Sequence, residues 1–226
     1  MKYIPSIAFE EMSGSAKGVT AAKVRGRKYI RNRGYGGSTR TEFQSSVKGI
    51  FKQLSTSWKS LSNAQILAWN KLAGTQAGHS VLGSSSKISG ANLFMRLNYW
   101  VVYCGGEVMT TPPDLVGVEA PSEAVITLTA EKFTFELEYA PAAAADLRLI
   151  VQASAPQSNG VTRAYAKAAT IGGARACSTD EIDIKADYDE KNGAPSAAAP
   201  KVFMKYFFVN TKTGEKSGEM MAIAKL

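Results

Sequence analysis

The chain has 226 residues, with 27 Lys and Arg against 19 Asp and Glu, a net charge of +8, one His and two Cys. A hydrophobic fraction of 45% excludes wholesale disorder, and a chain of this length buries enough surface to fold without disulfide staples. Cys104 and Cys177 lack zinc-site spacing and one histidine cannot support His-rich metal chemistry, so neither a metal nor a cofactor is expected.

The charge is uneven: residues 1–110 carry +11 and residues 111–226 carry −3, which suggests two parts with different surroundings. Pro5 and the acids Glu10 and Glu11 break up the opening apolar residues, so no secretory leader is expected. Lys17, Lys23, Arg25, Arg27, Lys28, Arg31 and Arg33 follow without an intervening acid, among several glycines. Such a stretch has too few apolar residues to fold alone. Residues 1–38 therefore read as an extended basic arm, ordered by a partner; Val24, Tyr29 and Ile30 give it something to dock. Lys17, Lys23, Arg25, Arg27, Lys28, Tyr29, Arg31 and Arg33 are the candidate partner-binding residues.

A helical unit of about three helices is expected over 39–109. Thr39 with Glu42 fits a capping box, and Phe43, Val47, Ile50, Phe51, Leu54 and Trp58 fall on one helical face. Ser62 with Gln65 opens a second helix, with Leu61 stapled onto Ile66, and Gly74 stops it. After a Gly/Ser-rich loop holding His79, a third helix is expected from Gly90 to Tyr103. Phe43, Phe51, Trp58, Leu61, Trp69, Phe94 and Trp100 form its candidate core, with the tryptophans packing inward rather than serving as base-stacking platforms. The longest apolar run, Tyr99 to Cys104, is too short to cross a membrane, and two lone cysteines suit a reducing compartment.

Pro112 and Pro113 mark a linker over 110–114. Beyond it the apolar period changes to two. Phe133, Phe135 and Leu137, with Tyr139, alternate with polar residues; Leu147, Leu149 and Val151 form another strand, Ile182 and Ile184 a third, and Val202, Met204, Tyr206 and Phe208 alternate along a fourth whose other face carries Phe203 and Phe207. Val125–Thr129, Val161–Ile171 and Met220–Lys225 supply partner strands. About seven short strands over 115–226 predict an antiparallel immunoglobulin-like β-sandwich, so the whole is an α+β, multidomain chain. Tyr206-Phe207-Phe208-Val209-Asn210 with Thr213-Gly214-Glu215-Lys216-Ser217 resembles the hairpin joining the last two strands of a fibronectin type III domain.

No catalytic residues emerge, and the chain is not expected to be an enzyme. Gly34-Tyr35-Gly36-Gly37 lacks the Lys-Ser/Thr end of a phosphate loop. Asp187 and Asp189 begin like a calcium loop, but Lys191 stands where a third oxygen ligand belongs; a solvated strand and turn is expected for this acidic stretch.

Trp58-Lys59-Ser60-Leu61-Ser62-Asn63-Ala64-Gln65-Ile66-Leu67-Ala68-Trp69 and the later Ser89-Gly90-Ala91-Asn92-Leu93-Phe94-Met95-Arg96-Leu97-Asn98 resemble a pattern found in proteins of bacteriophages and prophages, many of the Bacteroidetes type. There too a basic Gly/Arg arm precedes the helices and a Pro-Pro linker follows. The resemblance implies a virion structural protein made in the host cytoplasm: a minor capsid, head-decoration or neck/tail component. Its partners would be other virion proteins and copies of itself, with contact to packaged DNA possible through the arm. Two other classes compete: a nucleic-acid-binding protein using the arm on the genome, and an adhesin whose sandwich loops bind glycans or proteins.

Overall fold

A computed structural model describes residues 12–24, 27–32, 34, 41–78, 86–138, 141 and 144–226. The chain is α+β. It opens with three short strands, β1 (Gly14–Ala16), β2 (Val19–Val24) and β3 (Arg27–Asn32), paired in order as one antiparallel sheet. This corrects the expectation of an extended arm. The turns supply the reason: Gly18 takes φ +87° and Lys17 φ +35°, a left-handed corner that reverses the chain and lets Ala16 pair with Val19. None of the sheet's described side chains joins the apolar clusters of the body.

Helices α1 (Glu42–Ser60), α2 (Asn63–Thr75) and α3 (Gly90–Tyr103) follow. The capping box of α1 is Thr41 with Gln44, not Thr39 with Glu42: the Gln44 amide donates to the Thr41 hydroxyl at 3.2 Å and Gln44 Oε1 accepts from the Thr41 amide at 3.4 Å. Two overlapping Thr-x-x-Glu/Gln patterns compete here, and Thr39 lies outside the described residues. Ser62 and Gln65 cap α2 as their spacing predicts, and Ser89 caps α3. A two-strand ladder, β4 (Ala77–Gly78) with β5 (Ser86–Lys87), bridges the intervening loop.

The second half consists of two antiparallel sheets over one core. The smaller runs β11 (Ile182–Asp183), β7 (Phe133–Leu137), β6 (Ala124–Leu128). The larger runs β10 (Arg175–Ala176), β8 (Leu147–Ala153), β12 (Lys201–Asn210), β13 (Met220–Lys225), with β9 (Ala169–Thr170) also on β8. Period-two alternation puts Phe133, Phe135 and Leu137 of β7 opposite Leu149 and Val151 of β8 and Met204, Tyr206 and Phe208 of β12 in one buried cluster. Only a fragment of the expected strand Val161–Ile171 forms. Tyr165, on a 3₁₀ turn, instead packs edge-on against Phe203 at 5.2 Å and covers the outer face of β12.

The acidic stretch, Asp180 to Glu190, begins with the expected strand, β11, but continues as a helix, α4 (Lys185–Asn192), in place of a solvated turn. Ile184 and Tyr188, four residues apart, both sink into the core, and Tyr188 donates to the Ser154 carbonyl at 3.0 Å. Lys185 pairs with Asp189 one turn on, and Gly193 ends the helix at φ +74°.

In the β12–β13 hairpin, Glu219 takes cations from Lys205 and Lys216. The Lys216 hydrogen bond holds the Glu219 carboxyl below its ordinary pKa of 4.5; burial opposes this and Lys205 adds to it. A depressed folded pKa means stabilisation present above pH 4.5 and lost as the pH falls through the folded value. Urea midpoints measured at about pH 6 and about pH 3 should therefore fall less with acid in Glu219→Gln than in the wild type.

Candidate functional site

Where the two halves meet, α3 lies on the outer face of the larger sheet. Ile150, Phe207 and Val209 are fully buried there against Trp100, Tyr103 and Cys104 of the helix end. Trp100 meets Phe207 edge-on at 5.4 Å, Lys216 lies over the Phe207 ring at 3.9 Å, and Tyr103 donates to the Gly172 carbonyl at 3.3 Å. Gly214, at φ +69°, brings the hairpin turn directly onto the Leu97 backbone.

The connecting segment is fastened at both ends. Asn98, fully buried, accepts the Met109 amide at 2.6 Å and donates to the Phe94 carbonyl at 3.1 Å and the Met109 carbonyl at 3.4 Å. Trp69 Nε1 donates to the Thr110 carbonyl at 3.0 Å. Past the prolines, Glu215 accepts the amides of Val116 and Gly117 at 3.2 and 3.1 Å. The helices and the two-sheet unit are thereby tied together through residues 109–117.

The helical-core expectation divides. Leu61, Trp69 and Phe94 are buried together with Leu54, Leu93 and Leu97, and Trp58 packs half-buried against them. Trp100 belongs instead to the contact with the larger sheet. Phe43 and Phe51 are not core: they are 42% and 46% exposed. α1 turns Leu54 toward α3, which leaves both phenylalanines on its flank, Phe43 beneath Lys191 at 4.8 Å and Phe51 on Tyr99.

Phe51, Asn92, Met95, Arg96, Tyr99 and Trp100 line a shallow groove of about 440 Å³ between α1 and α3. Phe51 stacks on Tyr99 at 5.3 Å and 18°, and Tyr99 stacks on Tyr103 at 6.0 Å and 25°. Burial pushes the pKa of Tyr99 and Tyr103 up, keeping both phenols neutral. Lys48, Lys52 and Lys59 occupy one exposed stripe of α1. Glu42 is the sole acid in the three helices. Among the described residues, the ion pairs all lie between positions 146 and 219, so these lysines and Arg96 have no carboxylate partner. Tyr99 and Arg96 escape a sequence reading centred on the tryptophans. Their signal is a cation and a ring at helical spacing, 96 and 99, beside the apolar stripe.

In the N-terminal sheet, Lys17 sits at the β1–β2 corner, Lys23 on β2, and Arg27, Lys28, Tyr29 and Arg31 on β3. Register pairs Ala22 with Tyr29 and Thr20 with Arg31, and directly opposes Lys23 and Lys28. Tyr29 and Arg31 thus share one face, Lys23 and Lys28 the other. Arg25, Arg33 and His79 lie outside the described residues, as do residues 35–37 of the glycine-rich stretch.

Asp187 is held by Arg175 and Asp189 by Lys185, so the carboxylates of the calcium-like stretch are engaged by cations. Among the described residues, no group of three or more His, Cys, Asp or Glu gathers as a metal site, and no helix is long and apolar enough to cross a membrane. Burial pushes the thiol pKa of both Cys104 and Cys177 up, which disfavours the thiolate a nucleophile needs. Comparison with protein-family models, curated proteins and solved structures finds no match to this chain.

Proposed function

We propose that this chain is a non-enzymatic structural protein of a bacteriophage particle, a minor capsid, head-decoration or neck/tail component. In this reading the basic N-terminal segment and the helices anchor it to neighbouring subunits, and the second half, an immunoglobulin or fibronectin III-like sandwich, is displayed. The observation that carries it is the N-terminal sheet, which puts Lys17, Lys23, Arg27, Lys28 and Arg31 within residues 14–32 and whose described side chains join none of the three apolar clusters. A three-stranded sheet outside the main apolar clusters is marginal in water, which supports reading it as a docking element. The two antiparallel sheets over one core, closed by the β12–β13 hairpin, support the sandwich assignment. The bacteriophage resemblance of the helical segments supports the setting, and a subunit of a symmetric particle has copies of itself within reach.

Deleting residues 1–38 is expected to abolish incorporation into particles, read by mass spectrometry of purified virions, while the remaining chain keeps its thermal midpoint. Incorporation at the wild-type level would overturn the reading.

A further inference from the structure

We infer that the groove between α1 and α3 is a stacking platform for single-stranded nucleic acid. This goes beyond the anchoring role and stands on different residues. Phe51, Tyr99 and Tyr103 form a column of near-parallel rings. The column is fixed to the body: Tyr103 bonds to Gly172, and Trp100 packs edge-on against both Tyr99 and Phe207. Its end ring, Phe51, stacks on Tyr99 and is still 46% exposed, which leaves ring surface for a further planar group. A nucleobase continues such a column at little ordering cost, because the rings are already in place.

The electrostatics select the same ligand. Arg96 lines the groove, Lys48 lies one helical turn before Phe51, and Lys52 follows it. No carboxylate on α2 or α3 competes for these cations, and Glu42 is at the far end of α1. Cations flanking an open aromatic face match a strand that offers phosphates and bases in alternation. An acidic peptide would satisfy the charges but offer the column only its occasional rings. Asn92, also in the groove, can donate to and accept from a base edge.

The test is fluorescence anisotropy of a labelled oligothymidine titrated with the full chain at several salt concentrations. The wild type should bind, more weakly as salt rises. Phe51→Ala should cost about tenfold in affinity, the scale of one lost base stack, and leave the salt slope unchanged. Phe51→Trp should restore binding. Lys48→Gln and Arg96→Gln should each reduce the log–log salt slope by about 0.7. All three positions are exposed, and unchanged thermal midpoints would certify folded variants. The inference is overturned if the wild type does not bind oligothymidine at low salt, or if Phe51→Ala binds like the wild type, which would put any binding on the N-terminal segment. It is equally overturned if polyglutamate competes as well as oligothymidine with the same dependence on Phe51, which would assign the groove to an acidic protein segment.

Discussion

Gly214→Ala is expected to lower the thermal midpoint of the protein by about 10 °C. Two costs combine. The backbone at Gly214 sits at φ +69°, where a side chain costs about 1–2 kcal/mol. The new Cβ would also fall well inside van der Waals contact distance of the Leu97 carbonyl and only 2.9 Å from Leu97 Cα. That neighbour is helix backbone and cannot rotate aside, so overpacking adds about 1–3 kcal/mol more. Two control glycines separate these terms. Gly105 has φ +85° with nothing within 4 Å, so Gly105→Ala reports the backbone cost alone; Gly218 would meet only Ala120 at an ordinary 3.6 Å. Differential scanning calorimetry should rank the losses Gly214, then Gly105, then Gly218. A loss at Gly214 no greater than at Gly105 would mean that the turn simply lifts off α3.

Asn98→Leu should cost about 3 kcal/mol, read from urea midpoints. The replacement is similar in size and apolar, so packing is preserved while hydrogen bonding is lost. The Met109 amide loses its acceptor at 2.6 Å and the Met109 carbonyl its donor at 3.4 Å. Each buried group left without a partner costs about 1–3 kcal/mol. Amide exchange should localise the damage: the Met109 amide should lose protection while the amides of α1 keep theirs. A loss below about 1 kcal/mol would show that water replaces the side chain.

Local rules carried much of the fold into view. The Ser62–Gln65 box, the Gly90 start of α3 and the alternation along β7, β8 and β12 depend on neighbours a few residues apart, and the structure places those elements accordingly. Readings that depended on distant partners fared worse. Phe43 and Phe51 repeat at helical spacing like core residues, but with α1 packed on α3 through Leu54 no helix remains to cover that flank. Trp100 fits the same stripe as Phe94, yet the strand that claims it lies a hundred residues on. α4 was hidden because only Ile184 and Tyr188 mark its inner face, too few for a period to show. The N-terminal sheet was hidden by its composition, since small and charged residues announce neither strand nor core.

Asn98 is the instructive case at the candidate site. A polar residue within the apolar stripe of Leu97 and Val101 marks a buried demand for hydrogen bonds, and that much is visible in the chain order. Its partner, eleven residues later in an irregular stretch, is not. Likewise the lysines of α1 are evident one by one, but the ring column beside them exists only once α1 and α3 are packed.

With Gly214 seated on Leu97 and residues 109–117 bound at both ends, no slack separates the front of this molecule from its back. Force applied to the outer loops of the two-sheet unit would reach α3 as torque instead of being absorbed by a swivel. A subunit built this way works as a bracket: whatever fixes the helices also fixes the direction in which the rest of the protein points.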